Sequence, residues 1–221
     1  MRSLFLAIRQ RLGLNAYMTG DYPRAERHFQ AIARAEGESQ RALRNLGLVR
    51  MALGDLAGAE RLFARELELY GVTPSRLQAL ADAAYLSGDR EKALRRVADA
   101  LAHPDCPNRA LLELRRRICI DAGAYGRAMK GHAHFQDGNA LLATRDVQAA
   151  LAAFQQAALA DPSDFVALNN IGGIQLNHLN DPKAAARTFE QALALVDLPM
   201  LRQNLARARA ALETAYTARP K

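Results

Sequence analysis

Tryptophan is missing from this chain and cysteine is rare, with Cys106 and Cys119 as the only two. These two show neither a CxxC motif nor the spacing of a disulfide framework, which favours a reducing compartment. No apolar run approaches the ~18 residues that a membrane-spanning helix needs. The short apolar stretch near the start ends at Arg9 without a small-residue cleavage site, unlike a secretory signal peptide. We therefore expect a cytoplasmic protein with no membrane partner.

Motifs that carry chemistry are equally scarce. The sequence has no glycine-rich phosphate loop, and no serine or cysteine lies in a recognisable nucleophile motif. His132 and His134 are two residues apart on a predicted helix, so they face different sides and are badly placed to share a metal ion. Glu66 and Glu68 alternate with apolar residues on a predicted surface helix, and we expect both to be solvated. The sequence thus predicts no enzymatic activity, no metal ion and no cofactor.

Positive charge is in excess and is unevenly placed. The net charge is +7, and the segment 108–130 alone holds 6 basic and 2 acidic residues. Within it, a candidate basic junction is formed by Arg115, Arg116, Arg117, Arg127 and Lys130. Few aromatic residues accompany these cations, so the excess of positive charge gives only weak support for nucleic-acid binding.

The dominant feature is an internal repeat with a period of 34 residues. Five sets of residues recur at this period in the first half of the chain: Gly13, Gly47 and Ala81; Gly20, Gly54 and Gly88; Asp21, Asp55 and Asp89; Ala25, Ala59 and Ala93; Phe29, Phe63 and Val97. A repeat of this length indicates a solenoid in which one small unit is stacked several times.

Each repeat predicts a helix, a tight turn and a second helix. The second glycine of the repeat ends the first helix, because glycine adopts the left-handed backbone conformation at little cost. The aspartate then caps the second helix by accepting backbone N–H groups. The alanine permits close approach of the two helices, and the aromatic residue four positions later lies on the same helical face.

This pattern resembles the tetratricopeptide repeat (TPR) family, whose unit is a 34-residue helical hairpin. The second half of the chain matches the pattern again at Ala150, Phe154, Ala157, Ala185, Phe189 and Ala192. A one-residue insertion lies near 177–180. The resemblance implies an all-α fold, namely a TPR-type superhelix of about five helical hairpins with capping helices, the last of them over 199–217. The tryptophan that the family favours near the start of each unit is missing here.

The repeat is interrupted between Ala81 and Gly138, which are 57 residues apart where two repeats would span 68. We expect a helix over 108–122 with Asn108 as its N-cap, followed by a turn over 123–126. The predicted domains are an array of three repeats over 1–107, a basic capping helix and hinge over 108–126, and an array of two repeats with a cap helix over 127–221. In the alternative, 108–144 is a degenerate repeat whose second helix runs to about Ala143 and also serves as the first helix of the next repeat.

The helix predicted over 108–122 places Arg115 on the same face as Leu111, Ile118 and Cys119. Two interpretations are open at this point. The arginine buries its stem and extends its charge to water, or it meets a carboxylate across the junction between the arrays. Arg116 and Arg117 are expected to be solvated.

The resemblance also implies a binding surface, because in this family the first helix of each hairpin lines a groove that receives a peptide or a partner helix. Asparagines just before the small residue of that helix often face the groove, and an amide can both donate to and accept from a peptide backbone. The matching residues are Asn45, Asn170 and Asn204, with Asn139 and Asn169 nearby. In the first array, equivalent faces that suit an acidic partner carry Arg11, Arg41 and Arg44.

These observations predict a protein–protein interaction scaffold that binds a peptide or a partner protein in one or both concave grooves. A structural protein that assembles into homo-oligomers is one alternative. A nucleic-acid-associated protein that uses the basic segment 108–130 is another.

Overall fold

The computed structural model describes residues 2–217, and every regular element in this part of the chain is an α-helix. The predicted all-α fold is thereby confirmed. The chain divides between Pro107 and Asn108 into two compact units. Met1 and residues 218–221, which the predicted domains include, lie outside the described residues. None of the described helices is both long and apolar enough to span a membrane.

The first unit consists of three helical hairpins. Its helices are α1 (Arg2–Met18), α2 (Tyr22–Glu36), α3 (Gln40–Ala52), α4 (Leu56–Tyr70), α5 (Pro74–Leu86) and α6 (Arg90–Ala102). Consecutive helices pack against each other along the chain. We call the odd-numbered member of each hairpin in this unit the first helix and the even-numbered member the second helix.

The turn inside each of these hairpins is set by a Gly-Asp pair. Gly20, Gly54 and Gly88 all have positive φ, at 79°, 81° and 82°. The aspartate that follows each glycine accepts a hydrogen bond from a backbone N–H three residues later, in Arg24, Gly58 and Lys92 respectively. Both roles that the sequence predicted for this pair are confirmed, and they give each hairpin the same sharp reversal.

A phenylalanine on the second helix packs directly onto a glycine of the first helix. A Cβ atom placed on Gly13 would lie 2.6 Å from the ring of Phe29, and one on Gly47 would lie 2.3 Å from the ring of Phe63. Both rings are almost completely buried. In the third hairpin the two positions hold Ala81 and Val97, so a methyl group is added where the opposing side chain is smaller. The added methyl group therefore fills part of the volume that the smaller valine leaves.

The second unit contains α7 (Arg109–Ile120), α8 (Ala122–Ala143), α9 (Val147–Ala160), α10 (Phe165–Asn177), α11 (Pro182–Leu195) and α12 (Pro199–Thr217). Helices α8 and α9 form one hairpin and α10 and α11 the next, with α8 and α10 as first helices. The glycine–phenylalanine contact recurs in both, between Gly138 and Phe154 and between Gly172 and Phe189. Helix α12 packs against α11 and also contacts α10.

The predicted turn over 123–126 is wrong. Helix α7 ends at Ile120, and the side chain of Asp121 accepts hydrogen bonds from the backbone N–H groups of Gly123 and Ala124. This cap starts α8 at Ala122, so the two glycines of the predicted turn lie inside a helix of 22 residues. Helix α8 packs against both α7 and α9, as in the alternative in which one helix serves two hairpins.

The hairpin turns of the second unit lack the helix-ending glycine. Arg145 (φ 64°) and Asn180 (φ 51°) occupy its position, each directly before the aspartate that caps the next helix. Asparagine tolerates the left-handed conformation, whereas for arginine it costs about 1–2 kcal/mol. The turn between α8 and α9 is therefore strained at one residue.

We expect Gly172→Ala to destabilise the second unit by about 1–3 kcal/mol, because its Cβ would lie 2.6 Å from the ring of Phe189. Urea unfolding followed by circular dichroism measures the change, and hydrogen exchange of α10 and α11 locates it. The matched control is the neighbouring Gly173→Ala, which has no heavy atom within 4 Å of its Cβ. That variant should be as stable as the wild type or more stable by up to about 1 kcal/mol. Equal destabilisation by both changes would contradict the close contact.

Replacement of Arg145 by glycine should stabilise the second unit by up to about 1 kcal/mol. The change removes the cost of the left-handed conformation, and the greater freedom of glycine in the unfolded chain offsets part of the gain. The same unfolding experiment measures the difference. A less stable variant would mean that the arginine side chain itself contributes to the turn.

Candidate functional site

Amide side chains link neighbouring first helices within each unit. Asn45 of α3 donates through Nδ2 to Oε1 of Gln10 on α1, over 3.2 Å. Asn204 of α12 donates in the same way to Oδ1 of Asn169 on α10, over 3.0 Å. In both cases the partner lies 35 residues earlier in the chain. Asn45 therefore holds α3 to α1, and Asn204 holds α12 to α10, a role that was not predicted from the sequence.

Asn170 occupies the same repeat position but lacks this bond. The residue 35 positions before it is Phe135, which has no acceptor and whose ring packs against Phe154 with centroids 5.6 Å apart. Asn170 is half-buried and its side chain makes no hydrogen bond within the described part of the chain. Its amide is thus available to a molecule from outside.

A pocket of about 270 Å³ lies around this free amide. Its polar wall includes the bonded pair Asn169 and Asn204, and its apolar wall includes Leu142 and Ile174. The pocket is further lined by Gly173, Leu176, Asn177, His178, Phe189 and Arg207. The arrangement offers amide donors and acceptors beside an apolar floor, which is the combination that holds an extended peptide.

One cation reaches this pocket. Arg207 donates through Nη2 to Oδ1 of Asn177, over 3.1 Å, and its side chain is otherwise exposed. Sequence analysis missed both residues, although the spacing contained a signal. Arg207 follows Asn204 by three positions and Asn177 follows Asn170 by seven, so each lies on the same helical face as a predicted site residue. Asn139 is exposed on α8 and does not line the pocket.

The predicted site residues of the first unit are largely engaged in other contacts. An open depression of about 490 Å³ is lined by three of them, Arg41, Arg44 and Asn45. Its other lining residues are Gln10, Ser39 and Gln40. Arg41 forms an ion pair with Glu36, with Nε 2.7 Å from Oε2. Arg44 donates to the carbonyl oxygen of Ser75 over 3.1 Å. Arg11 is exposed on α1, outside this depression, and makes no ion pair within the described residues.

Glu66 is buried, so the prediction that it is solvated is wrong. Only 2% of its surface is exposed, and its Oε1 accepts a hydrogen bond from Nε of Arg76 over 3.1 Å. Arg76 also donates to the carbonyl oxygens of Tyr70 and Gly71, at the end of α4. Glu66 follows Phe63 by three residues and therefore shares its core-facing side of the helix. The pair is a structural contact between α4 and α5.

Arg115 is also buried, which excludes the interpretation that its charge extends to water. It is 6% exposed and donates through Nε to Oγ of Ser163 over 3.4 Å, within the second unit. Ser163 in turn donates to Oδ1 of Asp161 over 2.7 Å. The charge therefore lies near the carboxylates of the loop between α9 and α10. The remaining residues of the basic junction are exposed: Arg116, Arg117, Arg127 and Lys130.

Asp164 caps α10 beside this cluster by accepting N–H groups of Val166 and Ala167. Burial raises the pKa of its carboxyl group to about 6, and the nearby charge of Asp161 adds to the rise. The hydrogen bond from Ala167 and the charge of Arg115 lower the pKa by less than burial raises it. The folded chain thus binds a proton at Asp164 more tightly than the ordinary aspartate pKa of 3.8 implies.

We expect Asp164→Asn to gain stability relative to the wild type as the pH rises. Because the folded pKa is raised, the contribution of Asp164 to the free energy of unfolding is complete below 3.8 and is lost as the pH rises through about 6. Asparagine caps helices equally well and does not titrate.

Urea unfolding of both proteins between about pH 4.5 and about pH 7 measures this difference. The pKa of Asp121 is lowered by hydrogen bonds from the backbone of Ala124 and Gly123, so its effect on the pH dependence of stability is opposite to that of Asp164. Because Asp121 is present in both proteins, the difference between them cancels this effect. A stability difference that does not change with pH would show that Asp164 titrates normally.

The described residues contain no group of three or more histidine, cysteine, aspartate or glutamate side chains placed to hold a metal ion. His132 and His134 are both exposed on α8.

The repeat seen in the structure is matched by a family model. The model of the tetratricopeptide repeat matches residues 11–72 and 135–199, which together are more than half of the chain. The chain belongs to the tetratricopeptide repeat family. Proteins with TPR repeats generally mediate protein–protein interactions, and they are generally scaffolds without enzymatic activity. No curated protein matches the chain over its sequence.

Several solved TPR structures are similar to this chain. A thermophilic TPR protein of Thermus thermophilus is 19% identical, with 94% of this chain and 99% of that chain covered and a TM-score of 0.45. The TPR2AB domain of yeast Sti1, in a complex with pHSP90, is 15% identical, with 98% and 87% covered and a TM-score of 0.46. MamA from Desulfovibrio magneticus RS-1 is 18% identical, with 86% and 94% covered and a TM-score of 0.42.

Proposed function

We propose that this TPR protein is a scaffold that binds an extended segment of a partner protein in the pocket around Asn170. The observation that supports this most directly is the free amide of Asn170, which lies at a repeat position where Asn45 and Asn204 are bonded within the chain. An unpaired amide in a half-buried position favours a ligand that supplies a backbone C=O or N–H group. The two units act as separate arrays, and a cytoplasmic location stays a prediction from the sequence.

The charge of the pocket favours an acidic segment. Among the described residues that line it, Arg207 is the only arginine or lysine, and none is an aspartate or glutamate. A carboxylate next to the arginine would gain a charge-assisted hydrogen bond. The floor formed by Leu142, Ile174 and Leu176 suits one apolar side chain of the bound segment.

The depression of the first unit is the weaker candidate, because Arg41 and Arg44 already contact Glu36, Ser75 and Glu66. The basic segment is a weak candidate for nucleic acid, because few aromatic residues accompany its exposed cations and Arg115 lies in a buried cluster. Self-assembly is the remaining alternative, and a mass in solution that depends on protein concentration would favour it.

Asn170→Ala should weaken peptide binding by more than about tenfold without lowering stability, because no internal bond is lost. Asn45→Ala should lower the free energy of unfolding by about 0.5–1.5 kcal/mol through loss of its bond to Gln10, and Asn45 lies outside the Asn170 pocket. The two changes remove the same group from equivalent repeat positions, so the comparison separates binding from structure.

Binding is measured with peptides selected from a random library of extended 12-residue segments displayed on phage, by fluorescence anisotropy with the full chain. Arg207→Ala should reduce the affinity for acidic peptides, while Gln155→Ala, which changes an exposed residue of α9 outside the pocket, should leave it unchanged. Selected peptides that bind the Asn170 variant as tightly as the wild type would overturn the proposal.

A further inference from the structure

Successive hairpins stack through the same three positions of their first helices. Counted from the small residue of the glycine–phenylalanine contact, or from Ala206 at the same repeat position of α12, these lie five before, one before and two after it. In α3 they are Ala42, Leu46 and Val49, which pack into the core formed by the preceding hairpin with Phe29. In α12 they are Leu201, Leu205 and Ala208, which pack into the core around Phe189.

The same positions of α1 are exposed. They hold Ile8, Leu12 and Asn15, and the first two are 49% and 39% exposed, whereas Ala42 and Leu201 at the position of Ile8 are 1% and 0% exposed. Leu4 and Phe5 extend the apolar surface by one helical turn and are exposed as well. We call the residues Leu4, Phe5, Ile8, Leu12 and Asn15, with the adjoining Arg11, the α1 stacking face.

Helix α8 provides an internal comparison. The three equivalent positions around Gly138 hold Ala133, Asp137 and Ala140, and all of them are exposed. This face is small and polar, as expected for a face that remains in water. The α1 stacking face instead keeps isoleucine and leucine at the positions that bury apolar side chains in α3 and α12. It has the chemistry of an interface and not that of a solvated surface.

We propose that the α1 stacking face binds an amphipathic helix of a partner protein that carries acidic residues beside its apolar stripe. The helix takes the place that a preceding hairpin has at α3, so it continues an interface that the repeats already use. Its acidic character follows from charge: residues 1–20 contain Arg2, Arg9 and Arg11 and no aspartate or glutamate. Arg11 is exposed and has no carboxylate partner among the described residues. This site is separate from the Asn170 pocket, so an experiment can contradict one of the two proposals without contradicting the other.

Two other occupants of the α1 stacking face, a second copy of the chain and a lipid bilayer, fit less well. A second copy pairing through its own α1 would bring the arginines of both copies together with no carboxylate between them. A bilayer would have to bury the polar amide of Asn15, which lies inside the face beside Ile8 and Leu12. A helix can present a carboxylate to Arg11 and an amide or hydroxyl to Asn15 while it covers the apolar residues.

The chain itself supplies a probe for this interface. Helix α4 packs against α5, and its Phe63 shares a core with Leu80 and Ala83, two of the stacking positions of α5. The probe is a hydrocarbon-stapled peptide with the sequence 56–70, in which Arg61, Arg65 and Glu66 are replaced by glutamine, so that its only charged side chains are two glutamates. Glu66 is replaced because its partner in the chain, Arg76, corresponds to Ile8 in α1. Its control has the same sequence with those glutamates replaced by lysine.

Fluorescence anisotropy with the full chain should show binding of the acidic probe and binding of the lysine control that is weaker by more than about tenfold. The double change Ile8→Gln with Leu12→Gln should reduce the affinity for the acidic probe to a similar degree, as should Arg11→Glu. The matched control is Leu14→Gln, which also changes an exposed leucine of α1, but on the opposite side of the helix. It should bind the probe as the wild type does.

Since Ile8, Leu12 and Arg11 are exposed, these variants should keep the melting temperature of the wild type. Failure of the acidic probe to bind, or equal binding of both peptides, would overturn the proposal. Concentration-dependent mass in analytical ultracentrifugation that the Ile8 and Leu12 changes abolish would assign the face to a second copy. Binding to phosphatidylserine vesicles that is lost in the same variant, without binding of the probe, would assign it to a membrane surface.

Discussion

The contact between a phenylalanine ring and a glycine of the partner helix is the constraint on which four of the five described hairpins depend, and Val97 and Ala81 take these places in the hairpin of α5 and α6. The ring of Phe63 occupies the volume that a side chain on Gly47 would need, so the two helices approach closely at this point. Such an approach is possible only if the turn reverses the chain within a few residues, which Gly54 and Asp55 provide. The small residue, the aromatic residue and the turn pair are therefore one physical requirement, and this explains why they recur together at a fixed period.

The candidate site arises from a gap in a second regular interaction. Asn45 and Asn204 each donate to an amide on the preceding first helix, so their hydrogen-bonding capacity serves the stack. At Asn170 the preceding helix presents Phe135, which fills the core around Phe154 and leaves the amide without a partner in the described part of the chain. Phenylalanine at position 135 thus fills the core and at the same time leaves the amide of Asn170 free of this internal bond. The proposed binding site therefore depends on an irregularity in the repeat and not on the repeat itself.

Most of the fold was predictable because the hairpin signals are local and periodic. The turns at Gly20 and Gly54, the aspartate caps and the core aromatic positions all follow from residue type and spacing. The errors lie where a distant residue decides the outcome. Glu66 is buried because Arg76 and the end of α4 are there to receive it. The start of α8 depends on the cap by Asp121, which overrides the preference of the nearby glycines for a turn. The pocket needs pairwise contacts between helices, which a single sequence does not contain.

Helix α8 has a mechanical consequence for the second unit. With 22 residues it is about 33 Å long, and it contacts α7 and α9 along its length. One half of this rod serves as a second helix and the other half as a first helix, with no loop between them to absorb motion. A tilt imposed on α7 would therefore reach α9 through one continuous helix with no intervening loop. The helices that follow α8 are separated by turns, and α8 is the longest described helix of this unit.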